Sequence, residues 1–114
     1  MSAVPSAAFT IVARNYVAYA RTLTDTLARF EPRIERYVFV VDALDGMAEV
    51  VGAHVLAPGD VFGYEFYAGL AYSSDVTELS TAVKPYVMRH LLQLGYDRVY
   101  YFDPDIELFA PLDP

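Results

Sequence analysis

Two aspartates near the end of the sequence could bind a metal ion. Asp103 and Asp105 flank Pro104 directly after the apolar run 98–102, which is rich in strand-forming residues. Hard divalent cations take oxygen ligands, and Mg²⁺ usually takes one or two protein carboxylates together with substrate phosphates. Because proline fixes one backbone torsion, both carboxylates would project from a stiff turn. The pattern predicts a site for a cation that bridges a diphosphate, although Asp and Pro are also common in plain turns.

Lys84 is the second candidate, and it is the only lysine of the chain. Residues 75–94 have a mostly helical pattern, and Pro85 is favoured in a first helical turn, so we expect the main helix to begin near Thr81. That start would put Lys84 in the first turn, where free backbone N–H groups and the helix dipole favour anions. Lys84 is therefore a candidate phosphate contact, with a solvated surface lysine as the alternative.

Further polar side chains follow two other apolar runs. Arg14 and Asn15 come after residues 9–13, and Asp42 comes after residues 37–41. Side chains at strand ends can form hydrogen bonds with the base or the ribose of a nucleotide. Asn15 is also a good helix N-cap and Asp42 a common turn residue, while Arg14 is either a phosphate contact or a solvated charge.

Alternating strand and helix patterns would position these residues. Continuous apolar runs at 9–13, 37–41 and 98–102, with a short run at 54–56, predict strands that are buried on both faces. Two sets of apolar residues recur at helical spacing. They are Tyr16, Ala20, Leu23, Leu27 and Phe30, and then Val83, Val87, Leu91 and Leu94. The alternation predicts an α/β fold with a mostly parallel sheet flanked by helices, in which ligands bind outside the carboxyl ends of the strands.

The composition excludes several classes of protein. The net charge is -7, so no basic excess is available to neutralise the phosphates of a nucleic acid. The chain has no Cys, which excludes disulfides, zinc–thiolate sites and thiol catalysis. No apolar stretch approaches the roughly 18 residues of a membrane helix, and no signal peptide is recognisable. We therefore expect a cytoplasmic protein without a membrane span, with residues 1–8 as a flexible leader and residues 9–114 as one domain.

Three stretches resemble a known family. Residues 9–16, 75–85 and 100–106 look like the N-terminal half of a GT-A-fold glycosyltransferase, in the bacterial relatives of the glycogenin and lipopolysaccharide galactosyltransferase family. The Asp-x-Asp element alone is common, but its order after the first strand and the Lys84 helix is more specific. The resemblance implies a Rossmann-like nucleotide-binding half-domain. It would bind a nucleotide sugar, a UDP-sugar, with Mn²⁺ or Mg²⁺, for transfer to an unknown acceptor.

The resemblance also implies a role for each candidate residue. It assigns the metal and the diphosphate to Asp103 and Asp105. The residues that would line the nucleoside or lie near the phosphates are Ala13, Arg14, Asn15, Asp42 and Lys84. Many members of the family have an acidic residue where this chain has Arg14 and Asn15, so the base of the nucleotide is left open.

Length sets the limit of the resemblance. Such transferases continue past the Asp-x-Asp strand into an acceptor-binding half, which usually supplies a further metal ligand, often His. We expect these 114 residues to be the donor-binding part, as a fragment or a short homologue, without turnover of their own. An unfinished sheet exposes an edge strand, and we expect some self-association through it.

Two alternatives stay open. A haloacid-dehalogenase-like phosphatase also has Asp-x-Asp after a strand, but Glu107 stands where that family usually has Thr or Val. The non-enzyme alternative is a truncated nucleotide-binding or interaction module without catalysis.

Overall fold

A parallel sheet organises the protein. The computed structural model describes residues 5–42, 52–63, 66–67, 69 and 76–104. The strands are β1 (Ser6–Val12), β2 (Glu35–Val40), β3 (His54–Leu56) and β4 (Arg98–Tyr101), in the spatial order β3-β2-β1-β4. The helices are α1 (Val17–Phe30), α2 (Pro58–Val61) and α3 (Val76–Gln93), and a 3-10 turn at Arg14–Tyr16 precedes α1. All described strand pairs are parallel, which confirms the predicted α/β fold with a parallel sheet flanked by helices.

β1 is the central strand. It pairs with β2 from Ala7↔Glu35 to Val12↔Val40, and with β4 from Ser6↔Arg98 to Phe9↔Tyr101. Every β1 residue after Ser6 is buried. This burial is what a continuous apolar run predicts when helices cover both faces of a parallel sheet.

Alternate residues of β1 face different helices. On one face, Ala8 belongs to the same cluster as Leu23 and Leu27 of α1. On the other face, Phe9 and Ile11 belong to the cluster that contains the buried stripe of α3. That stripe consists of Leu79, Val83, Val87 and Leu91. Leu94, which the helical spacing placed on the stripe, lies beyond the end of α3 and is 56% exposed.

β1 begins three residues earlier than the apolar run predicts. Ser6, Ala7 and Ala8 belong to the strand, although the sequence assigned them to a leader. Ala and Ser are weak strand formers, so their pattern carries no strand signal. The pairing with β4 draws them into the sheet, and the Pro5 carbonyl accepts the Asp97 N–H at 2.9 Å.

α3 begins at Val76, not near Thr81, and Pro85 lies inside the helix. An interior proline removes one backbone hydrogen bond and costs roughly 3 kcal/mol. Burying a Val or Leu side chain gains about 1.5–3 kcal/mol, so a stripe of four such residues offsets that cost. Lys84 therefore lies in the third turn of α3, and the prediction that it lies at a helix N-terminus is wrong.

α1 also begins differently from the prediction. Asn15 is exposed within the 3-10 turn, and the N-cap position belongs to Tyr16, which makes no side-chain capping bond. The Tyr16 N–H donates to the Ala13 carbonyl at 2.9 Å, which closes that turn. The extra turn takes Tyr16 off the buried face of α1 and leaves it 51% exposed.

β2 and β3 agree with the sequence pattern to within a few residues, whereas α2 was not predicted. The short strand at 54–56 is confirmed. Residues 47–51, whose pattern is compatible with a short helical turn, lie outside the described residues. The segment after β3 forms α2, where the Ala57 N–H donates to the Asp60 carboxylate at 2.7 Å. Within the described ranges, no helix combines the length and the apolar character that a bilayer crossing requires.

Two buried threonines give a test of the core. Thr10 in β1 is 1% exposed, and its Oγ1 has no hydrogen-bond partner among the described residues. Because an unpaired buried hydroxyl is costly, we expect Thr10→Val to raise the free energy of unfolding by about 1 kcal/mol. Urea unfolding followed by circular dichroism measures this change.

The matched control is Thr24→Val in α1. Thr24 is 3% exposed, but its Oγ1 donates to the Arg21 carbonyl at 3.1 Å. The same substitution should lower the free energy of unfolding by roughly 0.5–1 kcal/mol, because a formed hydrogen bond is lost. Equal destabilisation by both variants would show that the Thr10 hydroxyl has a partner.

Candidate functional site

The strand order reverses next to β1. The chain adds β2 and β3 on one side of β1, and then returns to place β4 on the other side. α1, which follows β1, packs on one face of the sheet, and α3, which precedes β4, packs on the opposite face. Open α/β sheets bind their ligands in the crevice at such a reversal.

A cavity of about 400 Å³ lies in this crevice. Its wall comes from the end of β1, from one side of α3 and from the end of β4. The lining residues are Ile11, Val12, Ala13, Tyr16, Ser80, Thr81, Lys84, Tyr101, Asp103 and Pro104. This volume lies within the ~300–1,000 Å³ that is usual for small-molecule sites.

A second cavity, of about 490 Å³, adjoins the first. The two share Tyr16, Asp103 and Pro104, and the second adds Tyr19. The Tyr16 and Tyr19 rings are 51% and 52% exposed, with their centroids 5.6 Å apart. Together the two cavities form a continuous groove, hereafter the β1–β4 groove, with an exposed aromatic pair at one end.

The β1–β4 groove contains charges of both signs. The Lys84 Nζ lies 4.2 Å from the centroid of the Tyr101 ring, and Phe9 packs edge-on against that ring with centroids 5.1 Å apart. Asp103 is exposed, follows β4 and lines the same cavity. Ser80 and Thr81 lie close to Lys84 on α3 because residues three and four apart share one side of a helix.

Three of the predicted site residues line the first cavity, namely Ala13, Lys84 and Asp103. Asn15 and Asp42 do not line either cavity; both are exposed, close to the same edge of the sheet. The side chain of Arg14 and the whole of Asp105 lie outside the described part of the chain.

Sequence reasoning missed several residues of the groove. Ser80 and Thr81 looked like helix caps, Tyr16 looked like a core residue, and Tyr101 like part of a buried strand. The spacing to Lys84 was the available signal, because Ser80 and Thr81 lie four and three positions before it and such pairs are neighbours on a helix surface. No local pattern could have placed Tyr101 beside Lys84, since that contact joins a helix and a strand.

The described residues of the groove supply too few oxygen ligands to complete the shell of a divalent cation by themselves. Among the described residues no three His, Cys, Asp or Glu side chains form a metal-binding group. Among the described residues that line the groove, Asp103 is the one carboxylate. Mg²⁺ and similar ions often take one or two protein carboxylates and complete their shell with phosphate oxygens and water. The residues therefore suit a cation whose remaining ligands come from a phosphorylated compound.

Comparison of the chain with protein-family models, with curated proteins and with solved structures finds no match.

Tyr67 forms a hydrogen bond with the backbone just after β2, next to Asp42. The Tyr67 hydroxyl donates to the Val41 carbonyl at 2.6 Å. Burial, and then the nearby Asp42 carboxylate, raise the pKa of Tyr67 to about 12 from its ordinary value of 10.0. The folded state therefore favours the protonated phenol, so this contribution to stability is complete below pH 10 and is lost as the pH rises towards 12.

We expect the free energy of unfolding to fall between pH 10 and pH 12, and to fall less in Tyr67→Phe, which cannot ionise there. Urea unfolding at a series of pH values measures both slopes. Tyr37 contributes to the remaining slope, because burial and the Tyr96 hydroxyl also raise the pKa of Tyr37. Identical slopes for the wild type and Tyr67→Phe would contradict the assignment.

Proposed function

We propose that the chain is the donor-binding part of a glycosyltransferase, and that it binds a nucleotide sugar, a UDP-sugar, together with Mn²⁺ or Mg²⁺ in the β1–β4 groove. One observation supports this most directly. Ala13, Lys84 and Asp103 belong to separate stretches of chain, each was predicted to contact a nucleotide sugar, and all three line one cavity. That cavity lies at the strand-order reversal, where open α/β sheets bind nucleotides.

The diphosphate would lie between α3 and the end of β4. Lys84 supplies a positive charge there, and the hydroxyls of Ser80 and Thr81 supply hydrogen-bond donors. Asp103 would hold the divalent cation, with Asp105 as the second carboxylate that the resemblance implies. When bound, the cation neutralises the charge that develops on the departing nucleotide. Because the net charge of -7 opposes the approach of an anion, local positive charge in the groove favours its binding.

The aromatic pair would take the flat part of the ligand. Tyr16 and Tyr19 present exposed rings at the end of the groove that is shared with Asp103. Bases stack on aromatic side chains largely without regard to sequence. Asn15 and Asp42 would contact a nucleoside only where it extends beyond the cavity along the sheet edge. Arg14 keeps the role of a nucleotide contact that the resemblance implies.

Donor binding is the activity that we assign to these residues. Turnover is not assigned, because no described group of the chain is identified as acting on an acceptor. A cytoplasmic location and self-association remain predictions from the sequence. β4 lies at one edge of the described sheet, which is where a second copy would pair.

Calorimetry with UDP tests the proposal. We expect UDP to bind in the presence of Mn²⁺ and to bind at least about tenfold more weakly in excess chelator, since Asp103 would hold the cation and the cation would supply positive charge for the diphosphate. Asp103→Asn should weaken metal-dependent binding at least about tenfold, because a neutral amide is a poorer ligand for a divalent cation than a carboxylate.

Asp97→Asn is the matched control. Asp97 is also exposed and makes the same change of charge, but it lies before β4, at the opposite end of the strand. It should bind UDP and Mn²⁺ like the wild type. Binding of UDP without a metal, or an equal loss of UDP affinity in Asp103→Asn and Asp97→Asn, would contradict the proposal. Hydrolysis of p-nitrophenyl phosphate by the wild type would favour the phosphatase alternative instead.

A second prediction separates the two ends of the groove. Tyr19→Ala should weaken UDP binding by about 1–3 kcal/mol, because a stacked base loses its aromatic partner, and should leave pyrophosphate binding unchanged. Tyr86→Ala is the control, because Tyr86 is 42% exposed and does not line the groove. If Tyr19→Ala weakened pyrophosphate as much as UDP, the aromatic pair would not be the site of the base.

A further inference from the structure

We propose that Tyr101 is a positioning residue, which holds the ammonium group of Lys84 at the wall of the β1–β4 groove as a preformed anion contact. The inference rests on the proposed function for the identity of the anion, the diphosphate of a nucleotide sugar. The contact between Lys84 and Tyr101 lies within this chain, so it can be tested with and without a nucleotide.

The contact has the geometry of a cation–π interaction. The Lys84 Nζ lies 4.2 Å from the centroid of the Tyr101 ring, well inside the roughly 6 Å over which such attraction is significant. Both residues line the same cavity, and the Lys84 side chain is half-buried there. A lysine side chain is otherwise long and flexible, so a fixed partner decides where its charge lies.

The Tyr101 ring is itself held in place through Phe9 of β1. Tyr101 is the last residue of β4 and pairs in register with Phe9 of β1. The Phe9 ring is 1% exposed and packs edge-on against Tyr101. At the other end of the contact, Val83 and Val87 are fully buried against the sheet and fix the turn of α3 that carries Lys84. Both partners therefore start from rigid elements.

An aromatic partner leaves the lysine charge intact for a ligand. Within the described ranges Lys84 forms no ion pair with a carboxylate. A carboxylate partner would neutralise the ammonium and would have to be displaced by an incoming phosphate. A ring face attracts the ammonium without neutralising it, and N–H donors remain to bind an anion. Asp103 lines the same cavity, and the attraction of the Tyr101 ring competes with an ion pair between Lys84 and Asp103.

The first experiment reads the position of Lys84 without any ligand. Because the chain has one lysine, ¹³C-lysine labelling gives a single side-chain spin system in NMR spectra. We expect the ε-methylene protons to be shifted upfield, relative to the urea-unfolded chain, by the ring current of Tyr101. The shift should persist in Tyr101→Phe, which keeps a ring, and disappear in Tyr101→Leu.

Tyr100→Leu is the matched control for the loss of an aromatic side chain. Tyr100 is half-buried in the same strand, but it packs on the α1 side of the sheet, away from Lys84. The Lys84 shift should remain in this variant. Unshifted ε-methylene protons in the wild type, or a shift that survives in Tyr101→Leu, would overturn the inference whatever the chain binds.

The second experiment reads the consequence for an anion. With pyrophosphate and Mn²⁺ as the probe, Tyr101→Leu should weaken binding roughly threefold to tenfold, Tyr101→Phe by less than twofold, and Tyr100→Leu not at all. In a Lys84→Met background, Tyr101→Leu should cause no further loss, because the two residues act through one contact. Additive losses would contradict a positioning role.

The two proposals fail in different ways. If the wild type binds pyrophosphate but not UDP, the proposed function fails and the role of Tyr101 stands. If the wild type binds neither, the anion contact is overturned along with the proposed function, even where the ring-current shift is present. If UDP binds and Tyr101→Leu has no effect on affinity or on the Lys84 resonance, only the inference about Tyr101 fails.

Discussion

Parallel pairing of β1 on both of its edges is the constraint on which the rest of the protein depends. A strand with neighbours on both sides has its backbone groups satisfied within the sheet, and it can then be buried on both faces. Parallel neighbours cannot be joined by tight turns, so helices must cross over the sheet. With α1 on one face and α3 on the other, the carboxyl ends of β1 and β4 are left with a crevice between them.

That crevice collects chemistry from segments far apart in the chain. Lys84 belongs to α3, Asp103 is the second residue after β4, and Tyr16 belongs to the 3-10 turn after β1. Each is held by an element whose apolar side is buried in the sheet. In a chain with a net charge of -7, a single lysine in this place changes what the groove can bind. The Tyr101 ring beneath it links the charge to the packed interior through Phe9.

The sequence predicted the elements well where a long apolar pattern existed, and less well at their ends. The runs in β1, β2 and β4 and the stripes of α1 and α3 indicated the α/β fold correctly. The predicted start of α3 near Thr81 was wrong, because the preference of proline for a first turn is outweighed by burial of a four-residue stripe. Ser6 to Ala8 gave no strand signal, because their place in the sheet comes from pairing with β4.

For the site, the sequence by itself determined which chemical groups are available. It has one lysine, no cysteine, an Asp-Pro-Asp sequence after an apolar strand and an acidic balance, and these predict an anionic ligand that binds together with a cation. Only the tertiary structure decided which groups meet. It brings Lys84 onto Tyr101 and leaves Asn15 and Asp42 off the cavity wall, and it exposes Tyr16 beside Tyr19. The reason is that strand register and the extra 3-10 turn set the directions of these side chains, and neither can be predicted from the spacing of residues along the sequence.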